Sequence, residues 1–229
     1  MDKLERKSWN ENHKKLKEII VNPAESVFAT ELFLTQHGLL HNSAISNSSK
    51  ETLEDALIKD LDEVTFRKYP VSTPDTKNSI AWHLWHITRI EDMTMNILVA
   101  NRSQVLHRGK WLAKMNVSYP HSGNDMVDED IAKLSANIDF ESLLAYREAV
   151  GRETRYIVAS LKPEQLIMEI DKERIEQLFL EDAVQKQSEW LAQYWGKKTV
   201  AGLILMPATR HIFLHLNKCH RIKNKHQRE

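Results

Sequence analysis

The chain has 229 residues and a single cysteine, Cys219. An intrachain disulfide is therefore excluded, which fits a reducing compartment. Glycine and proline are scarce, 6 of each, and β-branched residues rarely cluster. Little in the chain opposes helix formation, so the composition favours an all-α fold. Net charge is also lacking: 32 Lys+Arg face 32 Asp+Glu. That balance offers no electrostatic case for nucleic acid or an anionic membrane as partner. No run of about 18 apolar residues occurs, so no transmembrane helix is expected. The start, Met1-Asp2-Lys3-Leu4-Glu5-Arg6-Lys7, is charged and leads into no apolar segment, unlike a secretory signal. Together these absences make a soluble cytoplasmic protein the expectation.

What is present is a chain 41% hydrophobic, with no break in composition, no internal repeat and no low-complexity segment. One helical domain over residues 1–229 is expected, with core helices at roughly 23–40, 79–100, 140–161 and 199–222. Asn22-Pro23 interrupts a charged first segment, since proline disfavours helix in the residue before it. Asn78 or Ser79 can cap the second long helix by accepting from its free N–H groups. On that helix Trp82, His86, Ile90, Met93 and Ile97 recur at steps of three and four and share one face. Leu143, Leu144, Val150, Tyr156, Ile157 and Leu161 mark the buried side of the third. The last run offers Leu203, Met206, His211, Leu214, His215 and Ile222 to its inner face. Pro207 lies inside it and should bend it or mark its real start. The connections are too long for a minimal up-down bundle and have room for short helices that build or cover a pocket.

The residues that carry chemistry are histidines. His211 and His215 stand four apart in Arg210-His211-Ile212-Phe213-Leu214-His215-Leu216, one above the other on a single helix face. Two imidazoles at this spacing can grip one metal ion. A third ligand must come from elsewhere, and Trp82-His83-Leu84-Trp85-His86 is the best supplier. His86, His211 and His215 would leave a coordination position for water or substrate, as catalytic zinc sites do. The chain has 11 histidines, and an isolated pair or a lone histidine on an apolar stripe is more often structural. The conjunction of an inward pair on one helix with an inward histidine on another favours a metal. His83, one turn before His86, could replace it or stand at the rim. Glu91 could hold a ligand histidine or act as a catalytic base, although a solvated carboxylate is equally compatible with its position. Cys219 is about 12 Å along the helix axis from His211 and reads as a small buried side chain. Trp82 and Trp85 could wall a pocket or fill core. His220 and Arg221 are expected to face solvent.

Ser79-Ile80-Ala81-Trp82-His83-Leu84-Trp85-His86-Ile87 and the His211-x-x-x-His215 run together resemble the two signature motifs of the DinB/YfiT-like superfamily. The resemblance implies an all-α four-helix bundle, with extra short helices here, that holds a divalent metal, zinc or nickel, between its helices. His86 takes the place of the family's first ligand, and His211 and His215 the places of the other two. It also implies a metal-dependent enzyme in which a thiol or water attacks a small electrophilic substrate. Characterised branches are transferases and isomerases using low-molecular-weight thiols. A metal-dependent hydrolase, or a non-catalytic helical binding or stress-response module, stands as the alternative. The family commonly continues His-x-x-x-His with Arg or Leu and then Gly-Gln. Here Leu216-Asn217-Lys218 follows, which leaves the thiol unassigned. A homodimer through outer helix faces is compatible with this composition.

Overall fold

The computed structural model describes residues 3–227 and, of the side chains, those from Glu5 onward. The Met1-Asp2 start and the Arg228-Glu229 end of the basic tail lie outside the described residues. The long helices begin where a polar side chain closes the first turn. Ser79 is extended, and its Oγ accepts from the Trp82 N–H at 2.9 Å, opening the helix Ile80–Asp92. Asp139 does the same for Phe140–Ser160 through the Ser142 N–H, and Thr199 for Val200–Leu205 through the Gly202 N–H. Each cap satisfies one of the donors that a helix start leaves free. Before them come an N-terminal helix, Lys3–Ile19, and a second helix, Ser26–Gly38.

The helix Ile80–Asp92 is central. It runs on into a π-helical segment, Met93–Val99, and every residue from Ile80 to Val99 is buried. A helix covered on all sides must belong to the core of its fold. Phe140–Ser160 and the last helix, Ile212–His226, pack directly on it. The N-terminal helix lies on the second helix, and its Trp9 ring stacks on Phe213 at 3.9 Å. Two apolar clusters result. One includes Leu84, Trp85, Tyr146, Phe213 and Ile222, and the other Phe33, Met93, Leu98, Ile157, Leu203 and Ala208. The central helix threads both, and its buried polar residues Thr88, Arg89, Glu91 and Asp92 fall where it passes from one to the other.

Burying those groups requires partners for each. The Arg89 guanidinium donates to Asp92 at 3.2 Å, to the Tyr146 hydroxyl at 2.7 Å and to the Pro120 carbonyl at 2.5 Å. Asp92 also accepts from Tyr146 Oη and from the Val105 and Leu106 N–H groups. This network ties the loop at Pro120 and the short helix Val105–Arg108 to the central helix.

The final helical run is broken in register. Val200–Leu205 is α-helical, Met206–His211 is π-helical, and Ile212–His226 is α-helical again. Pro207 explains the change, because it has no N–H to donate and its ring crowds the preceding turn. At the start of the π segment the Leu205 carbonyl accepts from Thr209 Oγ1 at 2.8 Å and lies 3.0 Å from His13 Nε2. Two positions expected to face inward are exposed, and one expected to face solvent is partly covered. Tyr156 and Leu214 are exposed, Tyr156 beneath the Arg102 guanidinium at 5.5 Å. His220 is half-buried, because its Nε2 reaches the Leu53 carbonyl at 2.9 Å.

Among the described residues no strand forms, only isolated bridges at Thr73–Thr76 and Glu169–Thr199. The fold is an all-α bundle. Its connections carry short helices, among them Leu53–Ile58, Glu63–Arg67, Asp128–Asn137, Lys172–Leu180 and Glu189–Gly196. No helix among the described residues is long and apolar enough to cross a membrane.

Candidate metal centre

His86 stands mid-way along the central helix, while His211 and His215 span the junction of the π segment and the last helix. The packing of these helices brings all three together. A ligand nitrogen from each lies within 4.8 Å of the other two. Ring centroids are 5.1 Å apart for His86–His211, 5.0 Å for His86–His215 and 4.4 Å for His211–His215. His86 is buried and the other two are half-buried, so the group sits at the edge of the core with a way in from solvent.

The His86 tautomer follows from its surroundings. Its Nδ1 is 2.6 Å from the Ser122 carbonyl, which only accepts. Nδ1 therefore carries the proton, and the Nε2 lone pair is left for a metal. Trp82 stacks on the same ring at 4.5 Å, nearly parallel, and fixes its plane. The Ser122 loop is held by its own N–H donating to the Ala183 carbonyl at 3.0 Å. Gly123 follows with φ +80°, and a Cβ there would stand 2.4 Å from the Trp85 ring. Only glycine meets both demands, so the loop can approach the central helix closely enough to hold His86.

His83 is placed beside the triad. Its Nδ1 is 2.9 Å from His215 Nδ1, and its Nε2 is 3.0 Å from Thr76 Oγ1. One of the paired Nδ1 atoms must carry the proton, and the contact engages His215 through Nδ1, leaving its Nε2 free. Burial keeps His86 neutral by pushing its pKa down to about 4. Burial also holds His83, His211 and His215 well below the ordinary histidine range, assisted by neighbouring imidazoles and Lys218. Metal ligation requires this uncharged form. Such histidines protonate more readily in the unfolded chain, so the unfolded state binds more protons between about pH 6.5 and pH 4. Stability should be greatest above that window and fall as pH drops through it, by about 2 kcal/mol or more between pH 7 and pH 4.5. Urea unfolding of chelator-treated protein at those two values measures this, and equal midpoints would contradict it.

A cavity of about 200 Å³ opens onto His86 and His211. Its walls are Ile90, Trp190, Leu191, Tyr194, Trp195, Met206 and Pro207, with Asn124 as the further polar side chain and no carboxylate. A larger space of about 510 Å³ lies elsewhere, between the N-terminal helix and the turn at Thr52, and no triad residue lines it.

The structure does not bring Glu91 to the triad. Five residues beyond His86, it points about 140° around the helix and contacts His37 and His41, which sequence reasoning did not single out. A signal for them existed, because His37 and His41 repeat the four-residue spacing of His211 and His215. Gly38, however, ends that helix. Trp85 is core, and Cys219 is fully buried with its thiol pushed up to about 12 by burial. That thiol is no nucleophile near neutral pH.

The arrangement, three neutral imidazoles facing one point beside an apolar cavity, could hold a divalent metal ion. No curated protein matches the chain. The family model of the DinB superfamily, a metal-associated family, matches residues 50–216. The match spans the central helix, the Ser122 loop and the turn from His211 to His215, more than half of the sequence. On that match the chain belongs to the DinB superfamily.

Proposed function

We propose that this protein is a metal-dependent enzyme in which His86, His211 and His215 hold a zinc or nickel ion and a low-molecular-weight thiol attacks a small electrophile. The bound ion would supply a thiolate near neutral pH, since coordination deprotonates a thiol outright. The observation that carries the reading is the pairing of the triad with an aromatic, carboxylate-free cavity. Metal-assisted hydrolysis commonly relies on a carboxylate near the ion to take the proton from water. None lines this cavity, and Glu91 is engaged elsewhere. A thiol, ordinarily near pKa 8.5, needs far less help than water.

The chain's own residues would divide the work. Trp190, Tyr194 and Trp195 would receive the apolar part of the electrophile, and Asn124 would orient a polar group. At about 200 Å³ the cavity falls below the range of about 300–1,000 Å³ usual for drug-sized ligands, so the substrate should be small. The buried Cys219 makes an external thiol necessary. The test is to load purified, untagged protein with zinc or nickel and follow loss of an aromatic halide with and without added thiol. Turnover should require both metal and thiol. Turnover indifferent to thiol would favour the hydrolase, and protein with no stoichiometric metal after loading would favour a binding module.

A further inference from the structure

We propose that His37, His41 and Glu91 form a second, enclosed site for a divalent transition-metal ion, joining the end of the second helix to the central helix. A nitrogen from each histidine and a Glu91 oxygen lie within 4.8 Å of one another, and all three side chains are buried. His37 Nε2 is 2.7 Å from Glu91 Oε1, and His41 Nε2 is 3.1 Å from Glu91 Oε2. Each carboxylate oxygen therefore faces its own imidazole. With bonds of about 2.0–2.1 Å, donors around a tetrahedral ion stand about 3.3 Å apart, so small movements would admit an ion.

Direct hydrogen bonding leaves this cluster incomplete. Only the His37–Glu91 contact has the alignment of a hydrogen bond. His41 Nε2, His41 Nδ1, His37 Nδ1 and Glu91 Oε2 are buried without a hydrogen-bond partner. Each such atom has given up its hydrogen bond to water without a replacement, which is unfavourable. An ion between the three side chains would engage His41 Nε2 and Glu91 Oε2 directly. Charge points the same way. Glu54, the neighbouring buried carboxylate, is paired with Arg147 at 2.7 Å. Glu91 has only His37 and His41 as direct ion-pair partners, and a buried carboxylate is stabilised by a full positive charge held between such ligands.

Two nitrogens and a carboxylate suit zinc and the other divalent transition ions, while calcium prefers oxygen throughout. With Glu91 bidentate, four protein donors close the site, which makes the ion structural. Gly151 lets the helix Phe140–Ser160 seal it, because a Cβ there would stand 2.8 Å from His41 Nδ1. Glu91 lies about 7.5 Å along the helix axis from His86, so one helix would serve two ions. His37 and His41 precede the residues that the superfamily model matches, 50–216.

Protein reconstituted with zinc chloride, freed of excess by gel filtration, should contain two zinc ions per chain by mass spectrometry. The double variant His211→Ala, His215→Ala should contain one, and adding Glu91→Gln to it should leave none. If the triad takes no metal, wild type and the double variant should each hold one, so failure of that reading remains distinguishable. A double variant without zinc, or one whose zinc survives Glu91→Gln, overturns the proposal. If Glu91→Gln does not fold, as far-UV circular dichroism would reveal, crystals of wild type loaded with cobalt chloride decide. An anomalous peak among His37, His41 and Glu91 supports the site, and its absence refutes it.

Discussion

Replacing His211 and His215 together by alanine is expected to abolish stoichiometric metal binding at the triad and lower turnover by well over 100-fold, while leaving the protein folded. The size of the effect follows from what is removed. Outer partners that merely orient a ligand typically cost about 10–100-fold when lost, and two of the three nitrogens themselves should cost more. The expectation that folding survives rests on position. His211 and His215 are half-buried at the edge of the core, whereas Ile212, Phe213 and Leu216 on the same turns carry the packing. Isothermal titration with zinc chloride and the thiol-dependent assay read the two effects separately. Unchanged zinc affinity at the triad would remove these residues from the site. His83→Ala should act less severely, within the outer-partner range, since it touches His215 and would not itself hold the ion.

The second large effect is on stability. Asp92→Ala should destabilise the fold by about 3–5 kcal/mol, the usual consequence of stripping one partner from a buried ion pair. Arg89, fully buried, would lose its countercharge, and the Val105 and Leu106 N–H groups would lose their acceptor. The Tyr146 hydroxyl, whose pKa burial raises well above its ordinary value, would remain as a donor without its carboxylate. Urea unfolding monitored by circular dichroism gives the difference directly. Asp92→Asn, which keeps the shape and an acceptor oxygen, should lose less. An alanine variant within 1 kcal/mol of wild type would show that the network contributes little net stability.

Much of the architecture is legible along the chain because it is local. The spacing of Trp82, His86, Ile90, Met93 and Ile97 identifies a helix, Asn78 or Ser79 marks its start, and Pro207 announces the irregularity before His211. The motif that pairs His211 with His215 is equally local, since four residues of helix place two rings on one side regardless of what surrounds them. Residues whose placement depends on other elements were harder to read. Tyr156 and Leu214 fit apolar stripes but face outward, because an exposed position tolerates an apolar side chain with little penalty.

The sequence by itself determined the all-α character, the helix starts and the two motifs, since these follow from backbone propensity, capping and helical periodicity within a few residues. Only the tertiary structure decided which nitrogens meet. It set His86 against His211 and His215 across helices more than a hundred residues apart in the chain, and it aimed the Ser122 carbonyl at His86 to select its tautomer. It also turned Glu91 away from that group toward His37 and His41. Position around a buried helix sends neighbouring residues to different partners, and which partners wait there is settled by packing between elements distant in sequence.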